Sequence, residues 1–231
     1  YKGGATRIEL NSALYLGGLT PSVASLRLLK RETTLTIICM VRPRGAGFTY
    51  DEIEYKQMLL EAEDLLENGA DGLAFGFLNS DYTIDVKRTR EFVELIHKYH
   101  RTAVLHRAFD CCDELDHAMT QLVELGIDRV LTSGGQPTAI DGANQIKSLQ
   151  ENYGKDIEIL AGSGVNYNNA AALMEHTGIS QVHSSCKDYE EDPTTSGKSV
   201  IYSYYTGTHA NDYESVDQEN VEKLVSSLQN K

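Results

Sequence analysis

The chain has 231 residues, with 21 Lys and Arg against 34 Asp and Glu, a formal net charge of −13 and a pI near 4.9. Such an acidic balance repels polyanions and argues against nucleic acid as a partner. No apolar run nears the ~18 residues of a membrane-spanning helix, so no membrane role is expected, and one core over residues 1–231 forms a single domain.

In chain order, short β-branched or apolar runs recur at Arg7 to Leu10, Thr36 to Arg42, Gly72 to Leu78, Thr102 to Phe109, Arg129 to Ser133, Ile157 to Ala161 and Gln181 to Ser184. Segments of helical period separate them. Thr20-Pro21, Thr49 with Glu52, Asp85, Asp113 and Asn166 supply helix-start chemistry, and Ser215 with Gln218 opens a closing helix through Leu228. Seven strands alternating with helices predict a parallel sheet covered by helices. Lys187 to Tyr213 breaks the alternation as a polar, Tyr-rich stretch, expected to be a loop forming a lid or an interface.

A repeat sharpens the count. Gly4-Ala5-Thr6, Gly69-Ala70-Asp71, Gly126-Ile127-Asp128 and Gly178-Ile179-Ser180 each precede a strand, at offsets of 65, 57 and 52 residues. Each marks a helix-to-strand joint, the glycine taking the left-handed conformation that ends a helix. The spacing is two strand-helix units, so four copies mean eight units. The expectation is a (βα)8 TIM barrel, with the first strand and most of the first helix missing from the N-terminus of this chain. A doubly wound open sheet is the alternative, though it would more often have five or six strands.

In such a barrel the carboxyl ends of the strands form the functional face. Arg42, Arg44 and Arg107 stand at strand ends there and favour a small anionic ligand, unless Glu9 and Asp110 neutralise two of them in an internal network. Thr132 and Ser133, the Gly162-Ser163-Gly164 turn and His183 complete the candidate binding set, the glycine turn being suited to phosphate. Glu9, His106 and Asp110 are the candidates for moving a proton in an enzyme of a small anionic or phosphorylated metabolite. The candidate soft-metal ligands are Cys111, Cys112 and Cys186, with Met40 and Cys39 behind them; the cysteine spacing suits reduced thiols in a cytosol.

Gly3 to Leu10, Gly17 to Ser22, Val41-Arg42-Pro43-Arg44-Gly45, Gly69 to Leu73, His106-Arg107-Ala108-Phe109-Asp110 and Arg129 to Gly134 together resemble the CutC copper-homeostasis family. The resemblance runs in order from Gly3 to about Cys186. It implies a cytoplasmic (βα)8 barrel, a homo-oligomer, and a relation to copper with Cu(I) as the ion bound. This chain departs from the family pattern at Asn11, where many members carry Cys, and in Val182-His183-Ser184-Ser185-Cys186, where the cysteine is shifted.

Overall fold

The repeat glycines Gly4, Gly69, Gly126 and Gly178 all hold φ between 75° and 94°, a region that is costly for residues with a Cβ. Gly126 and Gly178 cap helices directly, so each copy reverses the chain into a strand as its sequence dictates. The computed structural model describes residues 1–229. In it β1 (Arg7–Leu10), β2 (Thr36–Met40), β3 (Gly72–Phe75), β4 (Thr102–Leu105), β5 (Arg129–Thr132) and β6 (Glu158–Ala161) alternate with α1 (Val23–Glu32), α2 (Glu52–Glu67), α3 (Val86–Lys98), α4 (Leu115–Leu125), α5 (Ala143–Tyr153) and α6 (Ala170–Thr177). The six strands pair in sequence order, all parallel.

The seventh expected strand is reduced to one parallel bridge between Ala161 and Val182, backed by the His183 N–H donating to the Ala161 carbonyl at 2.7 Å. Strands β2, β3 and β4 end at Met40, Phe75 and Leu105, short of the Arg42, Leu78 and Phe109 boundaries read from hydrophobicity: the apolar run continues past the ladder into loops and, at Phe109–Cys111, into a 3-10 turn. Helix starts shift likewise. The capping box is Asp51 with Glu54 instead of Thr49 with Glu52, and Ser22 caps α1 instead of Thr20, because a carboxylate or hydroxyl directly before the helix meets its free N–H groups.

The sheet curls. Ile38, Met40, Ala74 and Val104 form a small apolar cluster apart from the main core between sheet and helices, and alternation along the strands puts Arg7, Glu9, Asn11, Arg42 and His106 on the same concave side. At its amino end, Arg7 Nη2 donates to Gln181 Oε1 (2.5 Å), Gln181 Nε2 to Glu158 Oε2 (3.2 Å) and Arg129 Nε to the same oxygen (2.6 Å). This polar floor joins the first strand to the last, so the sheet is an incomplete ring. Among the described residues no ladder connects β1 with Val182. Outside the ring, Phe75, Phe77, Phe92 and Tyr55 interlock with centroids 4.9 to 6.2 Å apart and fix α2 and α3, each ring contributing roughly 2 to 3 kcal/mol by burial.

The Tyr-rich stretch is an antiparallel hairpin, not a loop. β7 (Lys187–Glu191) pairs with β8 (Asp212–Val216), so Ser215 lies in a strand and Asp217 instead accepts the Asn220 N–H at the start of α7 (Gln218–Gln229). Tyr189 stacks on His209 (3.8 Å) and meets Tyr205, while Tyr204 and Tyr205 reach Tyr15 in the β1–α1 loop. The hairpin therefore touches the carboxyl rim of the ring.

Candidate functional site

The chain leaves β2 at Met40 and runs through Val41 into Arg42, a residue 6% exposed. Backbone carbonyls cage it. Nη1 donates to Leu16 (2.9 Å) and Gly18 (3.1 Å), and Nη2 to Ala46 (2.6 Å), so one cation ties the β1–α1 loop to the β2–α2 loop. Arg42 makes no ion pair with any carboxylate among the described residues; the expected neutralisation by Glu9 is not formed, since the Glu9 carboxylate instead accepts from the Asn11 amide at 3.1 Å. A guanidinium this deep without a counter-charge is costly.

His106 follows β4 and is 3% exposed. Its Nδ1 accepts the Ala108 N–H (3.1 Å), so the neutral ring carries its proton on Nε2. Burial, and then the nearby charge of Arg42, push its pKa down to about 3; at neutral pH it is a fixed hydrogen-bond donor and not a charged acid. The Phe48 ring packs against both groups, 4.9 Å from the His106 ring and 5.2 Å from Arg42 Cζ.

This rim is where hydrogen bonding is least complete. Arg42 Nε, His106 Nε2, Asn11 Oδ1 and the Tyr50 hydroxyl are all buried without a well-aligned hydrogen bond, four of the six such side-chain atoms among the described residues, although the Tyr50 hydroxyl is close enough to the Arg42 side chain to interact with it. Asn11 packs against Gly18, where a Cβ would lie 2.4 Å from its Oδ1, and burial pushes the Tyr50 hydroxyl pKa up while the Arg42 and Arg44 charges pull it back. Native interiors seldom leave so many polar atoms unpaired in one place.

The other candidates are committed to each other. Asp110, its side chain 6% exposed, takes Arg107 Nε (2.7 Å), Thr132 Oγ1 (2.6 Å), the Ser133 N–H (3.0 Å) and the Gly135 N–H (3.1 Å). With its oxygens filled it clamps the Gly134-Gly135 turn and has little left to accept a proton from a ligand. Arg107 also donates to Ser133 Oγ (2.8 Å). Arg44 turns away from the mouth to Glu54 in the first turn of α2, over the Tyr50 ring at 5.0 Å; the hydrogen bond from Arg44 holds the Glu54 carboxyl below its usual range. The Gly162 N–H is spent on the Thr132 carbonyl (3.0 Å), and the Gly164 carbonyl accepts the Asn166 and Asn169 amides. His183 stands over Gly162, where a Cβ would come within 3.4 Å of it.

The comparisons agree with this architecture. The model of the CutC family matches residues 1–188. The chain belongs to the CutC family. A CutC family protein of Treponema denticola is 46% identical over 201 residues, 87% of this chain and 81% of its own length, and one of Vibrio vulnificus is 41% identical over 186 residues, 80% and 74% of the two. A solved CutC of Streptococcus agalactiae, to which a copper-homeostasis role is ascribed by name, superposes with a TM-score of 0.73 at 30% identity, covering 77% of this chain and 87% of that one. Its likeness and the curled six-stranded parallel sheet make the fold an α/β half-barrel of TIM-like form.

For a CutC chain the soft-metal donors are the pertinent test, and they do not fit. No group of three His, Cys, Asp or Glu is gathered for a metal ion among the described residues. The Cys112 thiol leans on the Ala108 carbonyl (3.8 Å), and burial followed by Cys111 and Asp110 pushes its pKa up to about 12. Cys111, one residue away, is exposed and raised in the same direction by partial burial. Cys186 lies in the loop before β7, in a cleft of about 280 Å³ with Ser184, Ser185, Lys187 and Asn220, which neither Cys111 nor Cys112 lines. Cu(I) prefers thiolates brought together. The residues that sequence reasoning missed are Phe48 and Tyr50; the Gly45-Ala46-Gly47-Phe48 run beside a strand-end arginine was the available signal.

Proposed function

We propose that this CutC-family chain serves copper homeostasis in the cytoplasm through a barrel mouth that binds a small anion, with no preassembled Cu(I) site of its own. The observation that carries the reading is Arg42: a buried guanidinium with three carbonyl partners, no carboxylate, and unsatisfied polar atoms around it. Such a site is completed by an anion that brings the missing charge and acceptors. Copper is cargo of the physiological role. The exposed Ile201, Tyr202 and Tyr204 of the hairpin support a homo-oligomer. One further parallel strand in the seam between β1 and Val182 completes the eight-stranded ring in this reading.

Titration of the reduced protein with Cu(I) against a competing chelator tests the copper half. The expected result is no uptake beyond that of a variant carrying Cys111→Ser, Cys112→Ser and Cys186→Ser; a stoichiometric, tight site lost in that variant would contradict it.

A further inference from the structure

Building on the anion-binding reading, we propose that the Phe48 side chain plugs a binding site for a small monocarboxylate, and that the ligand's carboxylate takes the ring's place beside Arg42 and His106. Three observations combine. The first is position: the ring is the group packed against both buried donors, at 4.9 and 5.2 Å, so whatever replaces it lies within reach of both.

The second is the charge balance, which selects the ligand. Arg107 is neutralised by Asp110 and Arg44 by Glu54, Glu9 lies on the concave face, and His106 donates through an uncharged Nε2–H. At this mouth Arg42 is the cation left without a carboxylate partner, and Glu9 the carboxylate left without a cation, among the described residues. A monoanion meets the Arg42 charge, whereas a phosphate dianion brings a second negative charge towards Glu9 with no cation to meet it. A planar carboxylate also has two oxygens to divide between a guanidinium and an imidazole N–H.

The third is that the plug is built to move. Its backbone is anchored, since the Phe48 carbonyl accepts the Leu78 N–H at 3.0 Å. The space beside the preceding residue is open, since a Cβ on Gly47 would meet nothing within 4 Å. Rotation of one side chain opens the site. With the plug in place only the open fraction of molecules binds, and apparent affinity is reduced by that fraction.

The test follows the His106 imidazole in the wild-type protein by long-range proton–nitrogen NMR while pyruvate, as the probe carboxylate, or inorganic phosphate is added. Pyruvate is expected to move the His106 Nε2–H resonance, phosphate at the same concentration to leave it in place, and Phe48→Ala to tighten pyruvate binding about tenfold by removing the competing ring. Pyruvate binding that leaves His106 unmoved, or is weakened by Phe48→Ala, overturns the plug. Phosphate binding without pyruvate binding overturns the monocarboxylate assignment and leaves the anion-receptive mouth standing. Indifference to both anions, in wild type and Phe48→Ala alike, overturns the mouth reading as well.

Discussion

His106 shows how one position sets the chemistry of the mouth. Its burial and the Arg42 charge hold it neutral to about pH 3, whereas in the unfolded chain it takes a proton near its ordinary value of about 6.5. The folded pKa is thus depressed for a cationic group. Its contribution to stability is intact above about pH 6.5 and falls as pH drops from there towards 3, because the unfolded state binds a proton that the folded state refuses. Urea denaturation at pH 7, 5.5 and 4 is expected to show wild type losing up to ~1.4 kcal/mol per pH unit more than His106→Gln; parallel pH profiles for the two proteins would contradict it. The residue type was legible in the sequence as a strand-end histidine, but its tautomer was not. That depends on the Ala108 N–H, which turns back onto Nδ1 only because the chain leaves β4 into the turn at Phe109–Cys111.

Among the elements, β1 differs from its neighbours. All four of its residues are half-buried, while β3 and β5 are buried throughout. The Thr36 N–H donates to the Thr6 carbonyl (2.9 Å), so by the alternation of a parallel ladder Ile8 and Leu10 turn their backbone groups to β2, and Arg7 and Glu9 turn theirs to the seam. In the 231-residue chain the Arg7 and Glu9 amides are expected to exchange at least about a hundredfold faster than those of Ile8 and Leu10. Equal protection of all four would show a closed seam and contradict this reading. The strand positions were readable from apolar runs and the helix ends from the repeat glycines. The Gln181 to Ser184 strand is reduced to a single parallel bridge at Val182. The hairpin of β7 and β8 was missed because its residues are mostly exposed and polar, leaving no alternation for a buried face to impose; its cross-strand pairs and the Tyr189–His209 stack are tertiary facts.

Over the whole molecule, a chain of net charge −13 keeps one buried cation without a carboxylate at the open end of an otherwise self-satisfied ring. The amino end is closed by Arg7, Gln181, Glu158 and Arg129, where donors and acceptors meet. The carboxyl end holds four of the six buried side-chain atoms left unpaired among the described residues, the other two lying on α3 and α4. Topology was legible in the sequence and predicted which residues share that end, Glu9, Arg42, His106 and His183 among them. Which charges survive there was not legible: Arg44 is drawn off by the capping box of α2, and Asp110 is consumed by the Gly134-Gly135 turn. The most direct measurement is a crystal structure of the protein grown with pyruvate. The account predicts a carboxylate beside Arg42 and His106 with the Phe48 ring swung aside; an unmoved Phe48 with the anion held at Gly162 to Gly164, or no bound anion at all, would contradict it.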